Sequence, residues 1–229
     1  MKMNKIVMFV LLVLCFFNSE KSISQSGDLY VTSGLEFIFS KGGTDNDGPV
    51  RWSPVFNIQF NLNKDINNLL GVYTGLAIRN IGFIWDDPNN TDVRYKFRSY
   101  NLGIPVGLKI GNRNGLMLFG GYEFELPIHY KEKMFVDEKK EKFTILFSDR
   151  VNPIQHSVFA GIQLFSGTTI KFKYYLSDFH NKTYTDSTGA QPYANLNSNI
   201  FYVSLNFNLF KNAEFYYKEV DKNVSTARL

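Results

Sequence analysis

From Leu29 onward the chain alternates apolar and polar residues in eight stretches, and the connections between them are long and short in turn. The clearest stretch sets Phe56, Ile58, Phe60 and Leu62 against Asn57, Gln59 and Asn61, a period of two that places apolar side chains on one strand face and amides on the other. The pattern predicts strands over 29–40, 50–62, 70–84, 96–110, 115–130, 154–166, 168–179 and 199–210. Each is long enough to cross a membrane as a tilted strand, which takes about 9 to 11 residues. The connections after the second, fourth and sixth strands are rich in the Asn and Gly that tight hairpins use. The other four, 41–49, 85–95, 131–153 and 180–198, are longer and carry Asp, Lys, Asn, Thr and Pro. The expected fold is therefore all-β, an eight-stranded antiparallel up-and-down transmembrane β-barrel with short periplasmic turns, long outer loops and both mature termini in the periplasm of a Gram-negative cell.

One parity set supplies the expected lipid face, including Leu35, Phe39, Ile78, Val106, Leu108, Phe124, Val158, Phe172 and Val203. Trp52, Trp85, Tyr95, Tyr100 and Tyr130 fall near strand ends, where amphipathic rings favour the membrane–water boundary. The opposite parity holds Glu36, Arg79, Lys109, Glu123, Glu125, Lys171 and Lys173 among amides such as Gln59 and Asn206. A barrel of eight strands is only wide enough for side chains to fill, so these seven residues are expected to pair inside a closed lumen. A soluble barrel or sandwich could show the same alternation. The charges are too many for its dry core and too few for a well-solvated surface.

The N-terminus reads as a cleaved signal peptide over residues 1–24. Lys2 and Lys5 form a basic start, Ile6 to Phe17 a 12-residue apolar run, and Ser22-Ile23-Ser24 a small-x-small site before Gln25. That run is too short for a spanning helix, which needs about 20 residues. Cys15 is the only cysteine and leaves with the leader; Leu14 before it does not fit a lipid-modification site. The barrel is expected over 25–210, followed by a periplasmic tail over 211–229.

The net charge of +4 includes +2 from the leader (Lys2, Lys5 and Lys21 against Glu20), leaving about +2 on the mature chain. That excludes a nucleic-acid argument. An aromatic content of 16% with a mean hydropathy of −0.18 suits a barrel, in which only alternate residues face lipid, better than a helical membrane protein.

Tyr100-Asn101-Leu102-Gly103-Ile104-Pro105-Val106-Gly107-Leu108-Lys109 resembles the Tyr-Leu-x-Ile-Pro-Leu-x-Leu-Lys strand of the Bacteroidota outer-membrane β-barrel domain family, the broad group with PorT-like proteins. Gly161-Ile162-Gln163-Leu164 and Ile170-Lys171-Phe172-Lys173-Tyr174-Tyr175 resemble that group's sixth and seventh strands. The resemblance implies an accessory role in secretion or surface interaction, with outer-membrane lipid and a periplasmic or secretion-machinery protein as partners. Pro105 would fall inside a strand and implies a bulge or local distortion. One departure from many outer-membrane barrels is that Phe210 is followed by 19 residues, not by the chain end.

Catalytic chemistry finds little support, and neither a cofactor nor a metal is expected. By parity His129 points inward while His156 and His180 point outward, so the three do not converge on one metal. His156-Ser157 is similar to the neighbouring His and Ser of lipid A deacylases, but adjacent strand residues face opposite sides. Gly42-Gly43 and Gly120-Gly121 precede no helical pattern; the second pair reads as a close approach or bulge. The run Lys131 to Arg150, with six cations and five anions, reads as a solvated loop with a hairpin near Lys139-Lys140. A non-enzymatic structural or accessory barrel is the leading expectation. A small-solute transport or ligand-binding barrel and a lipid-modifying enzyme are the alternatives.

Overall fold

The computed structural model describes residues 29–43, 48–88, 90, 92–111, 115–136, 139–164 and 167–214, with side chains as far as residue 207. The expected signal peptide, Cys15 and the tail from residue 215 lie outside the described residues. The strands are β1 (Leu29–Gly42), β2 (Arg51–Ser53), β3 (Ile58–Asp65), β4 (Leu70–Asp86), β5 (Val93–Gly111), β6 (Met117–Val136), β7 (Lys139–Leu146), β8 (Gln155–Gln163), β9 (Thr169–Tyr175) and β10 (Ile200–Glu214). β1, β3, β4, β5, β6, β8, β9 and β10 pair in that order, all antiparallel, and β10 returns to β1 from Gly42↔Ile200 to Tyr30↔Glu214. The ring is thus a closed eight-stranded up-and-down barrel. Closure leaves no free edge in the ring, because every strand has a neighbour on both sides.

Side-chain alternation explains why these residues close on themselves with the apolar side out. Along β5, Val106, Leu108 and Ile110 are exposed while Asn101, Gly103, Pro105, Gly107 and Lys109 between and before them are buried. β9 repeats this, with Ile170, Phe172 and Tyr174 outward against Lys171, Lys173 and Tyr175 inward.

Several elements depart from the expected bounds. The expected second strand is broken: Pro54 ends β2, Phe56 takes a left-handed conformation (φ 60°), and β3 begins at Ile58. Across this break side chains replace ladder bonds to β4. Asn57 Oδ1 accepts from Asn80 N at 2.7 Å, and Arg51 Nη1 and Ser53 Oγ each donate to Asn80 O at 3.1 Å. The last strand continues past residue 210 to Glu214. The fifth expected strand continues to Val136 and pairs with β7, so the hairpin near Lys139-Lys140 extends the sheet beyond the ring.

Pro105 causes no bulge. The register between β4 and β5 is the same on both sides of it, but pairing is interrupted between Thr74↔Val106 and Ala77↔Gly103, and Thr74 Oγ1 donates to the Pro105 carbonyl at 2.9 Å. The missing amide hydrogen produces a gap in the ladder rather than an extra residue. Between β5 and β6 the register does shift: Tyr100 faces His129 and Asn101 faces Pro127, leaving Ile128 as the extra residue on β6. A bulge of this kind reverses the inward and outward sense of everything beyond it.

Candidate functional site

The lumen is built in three layers between the short-turn end and the long-loop end. At the short-turn end, Lys109 of β5 reaches Asp65 of β3 at 2.7 Å and also donates to the Tyr30 hydroxyl of β1. Asp65 was missed by the sequence reading, which stopped this strand at Leu62. The alternation Asn57, Gln59, Asn61, Asn63 in fact carries through to Asp65, and that continuation was the available signal.

The middle layer is a continuous ionic chain. Lys171 Nζ lies 2.7 Å from Glu36 Oε1, and Glu36 also pairs with Arg79 and accepts from Ser204 Oγ. Arg79 Nε lies 3.3 Å from Glu123 Oε1, and its Nη2 donates to Gln59 Oε1 at 2.8 Å. Lys173 then joins Glu123, at 2.8 Å, to Glu125. Glu125 accepts further bonds from Asn101 Nδ2 and the Tyr175 hydroxyl, each at 2.7 Å. The charges are Arg79, Lys171 and Lys173 against Glu36, Glu123 and Glu125, three of each sign, and all six side chains are almost wholly excluded from solvent. Isolated charges at such depth would cost several kcal/mol each. The alternating chain gives every one a partner of opposite sign, and Lys109 has Asp65 to itself.

The long-loop end is apolar, which the sequence reading did not foresee. Ile38, Ile81, Phe83 and Phe97 point inward from the upper parts of β1, β4 and β5, and the segments 147–154 and 176–199 fold over them with Val151, Phe179, His180 and Tyr193. The expected interior of charges and amides therefore fills only part of the lumen. Trp85 and Tyr95, assigned to the boundary belt from sequence, instead pack against this plug, as does Tyr130. Tyr130 is turned inward by the Ile128 bulge, and the same bulge sends His129 outward, reversing its expected parity.

His180 is likewise not at an exposed rim. β9 ends at Tyr175, so its parity does not extend to residue 180, and the imidazole is buried. It stacks on Tyr193 (centroids 4.2 Å, planes 8° apart) and meets Phe97 and Phe179 edge-on. Burial, reinforced by the Arg150 charge, pushes its pKa down to about 3. Arg150 holds the loops to the barrel: its Nη1 lies 2.9 Å from Glu132 Oε2 and 3.3 Å from the Tyr193 hydroxyl.

The outer surface changes character at one level. Tyr100 stacks with His129 (5.6 Å), meets Phe56 edge-on (5.7 Å), and lies under Lys131 Nζ at 5.3 Å and Arg98 at 5.9 Å. Below it the surface is apolar along β5 as far as Ile110. At about 3.3 Å per residue and a tilt near 40°, that span rises about 25 Å, the height of a barrel's apolar band.

His156 and Ser157 do not form a catalytic pair. His156 lies on the outer side with Nδ1 2.5 Å from the Tyr122 hydroxyl, whereas Ser157 is buried inside and donates to the Glu123 carbonyl at 3.3 Å. Among the described residues no three His, Cys, Asp or Glu side chains form a metal-binding group. Gly120 and Gly121 make a close approach without a bulge: their register with β5 is continuous, and a Cβ on Gly121 would stand 2.6 Å from Gly107 Cα.

No family model matches the chain, and no curated protein matches it. Among solved structures it is similar to Ail, the attachment invasion locus protein of Yersinia pestis, at 16% identity over 80% of this chain and 97% of that one, with a TM-score of 0.37. It is also similar to neisserial surface protein A (10% identity, 80% and 98% covered, TM-score 0.36) and to CarO2 of Acinetobacter baumannii (14% identity, 78% and 99% covered, TM-score 0.38). The closed ladder alone establishes the barrel.

Proposed function

We propose that this protein is a non-enzymatic barrel of the Gram-negative outer membrane that serves as a rigid scaffold for surface or secretion-related partners. The observation that carries this reading is the inversion of the usual soluble arrangement. Val106 and Leu108 are 56% and 62% exposed on the outside, while Glu123 and Lys173 are fully buried on the inside. In water such a belt would be a large apolar patch of the kind that drives association; in lipid it is the matched surface. The termini of the ring, Leu29 and Glu214, lie at the short-turn end, which in this reading faces the periplasm together with the tail that follows.

A filled lumen favours scaffolding over transport, since the ionic layer and the aromatic plug lie in series across any axial path. The resemblance of the Tyr100–Lys109 strand to PorT-like proteins supports an accessory task in secretion, with a periplasmic protein engaging the short turns or the tail. The test is gel mobility of the outer-membrane fraction with and without boiling. A heat-dependent shift in that fraction is the expected result. A heat-insensitive band confined to the soluble periplasm overturns the membrane assignment.

A further inference from the structure

Where β5, β6 and β7 rise past Tyr100, their outward side chains are almost uniformly cationic. The registers place Lys96 opposite Lys133 and Lys133 opposite Lys142, so three ammonium groups share one cross-strand row. One row nearer the apolar belt, Arg98 faces Lys131, and one row farther out Arg94 and Lys140 flank Phe135. Among the described residues, Arg94 alone of these groups has a carboxylate partner, Asp86 at 2.5 Å, and Lys96, Lys133 and Lys142 make no ion pair.

Like charges directly opposite one another destabilise a sheet. Strands lie about 4.8 Å apart, so the three lysines fall within a span of about 10 Å. The folding of the hairpin therefore maintains a concentrated positive field on a face that none of the described elements covers. The acidic residues on the described strands of the same hairpin do not relieve it. Glu132 faces inward to Arg150, and Glu141 lies opposite Met134, on the parity opposite to Lys140 and Lys142.

The height of the patch identifies its partner. Tyr100, His129 and Phe56 mark the upper limit of the apolar belt, and Arg98 and Lys131 already stand over the Tyr100 ring. The lysine row lies two residues beyond Arg98 and four beyond Tyr100 along β5, at the level of the headgroups of the surrounding leaflet. We propose that Lys96, Lys133 and Lys142, with Arg98 and Lys131 beneath them, dock the phosphorylated headgroup of an outer-leaflet glycolipid. Phosphate oxygens bridging neighbouring ammonium groups convert the repulsive row into charge-assisted hydrogen bonds. The inference rests on the membrane reading given under Proposed function.

The full mature chain is refolded into phosphatidylcholine vesicles, and into the same vesicles containing diphosphoryl lipid A or its dephosphorylated form. The temperature at which the heat-dependent gel shift occurs is then read for the wild type and for a Lys96→Gln/Lys133→Gln/Lys142→Gln variant. Diphosphoryl lipid A is expected to raise the wild-type transition, the dephosphorylated form to leave it where phosphatidylcholine does, and the variant to lose most of the rise. In phosphatidylcholine alone the variant is expected to match or exceed the wild type, because its repulsion is relieved. An equal rise in both proteins, or a rise with dephosphorylated lipid, overturns the docking site and leaves the membrane reading intact. An equal rise with soluble inorganic phosphate replaces the lipid by a soluble anion. Failure to insert into any vesicle overturns the membrane reading and the docking site with it.

Discussion

Arg79 of β4 stands between Glu36 of β1 and Glu123 of β6, and through these two carboxylates it connects three strands across the closed lumen. No other cation in the layer could replace it, because Lys171 and Lys173 approach the same carboxylates from β9, on the far side of the chain of charges. Arg79→Met is therefore expected to strand two partly compensated anions. The expected loss is about 3 to 5 kcal/mol, the range for breaking a buried pair. Glu123→Ala leaves Arg79 with Glu36 and Lys173 with Glu125, so its cost should be smaller. Denaturant titration followed by gel mobility separates the two; equal stability of wild type and both variants would refute the ion-paired lumen.

Lys109 and Asp65 form a lone pair near the short turns, and Asp65 retains about a third of its side-chain exposure. Solvent screening lowers the worth of such a pair, so a double-mutant cycle with Lys109→Met and Asp65→Asn is expected to give a coupling of about 1 kcal/mol. A coupling as large as that between Arg79 and Glu123 would contradict the graded burial of the two sites.

The parity of side chains was legible in the sequence because a strand period of two needs no tertiary information. Glu36, Arg79 and Lys171 could be placed on one face from spacing alone. What spacing could not supply was any event that changes the count. The extra residue at Ile128 reverses His129 and Tyr130, and nothing in their residue types announces it. The end of β9 at Tyr175 removes His180 from the strand altogether. The apolar plug was hidden for a different reason. Ile38 and Phe97 share a parity with Glu36 and Asn101, and a face that changes from charged to apolar along its length reads as noise until neighbouring strands are aligned.

Gly121 and Gly107 face each other across β6 and β5, but they should differ in tolerance. A methyl on Gly107 meets side-chain atoms at the far end of the Tyr73 ring, whereas one on Gly121 meets backbone of Val106 and Gly107. Gly121→Ala is expected to cost about 1 to 3 kcal/mol and Gly107→Ala less, as measured by the temperature of the gel-mobility transition. The reverse order would show that the close approach of the two strands is not what fixes glycine there.

His180 makes the looped end sensitive to acid. Its pKa lies near 3 in the folded loops, against about 6.5 in an unfolded chain, because burial and the Arg150 charge disfavour the imidazolium. A folded-state pKa below the unfolded value means that the unfolded loop binds the extra proton. Stability of the plug is therefore full above about pH 6.5 and falls progressively as pH drops toward 3. Phe97, Phe179 and Tyr193 enclose the imidazole by ring contacts, and the Tyr130 hydroxyl lies 3.4 Å from Nε2. His180→Phe preserves an aromatic ring and removes the titration, so it is expected to flatten the dependence between pH 7 and pH 4. Limited proteolysis of the 176–199 segment across that range reads the loop directly. A variant whose cleavage accelerates with acid as steeply as the wild type would assign the sensitivity to the carboxylates and not to His180.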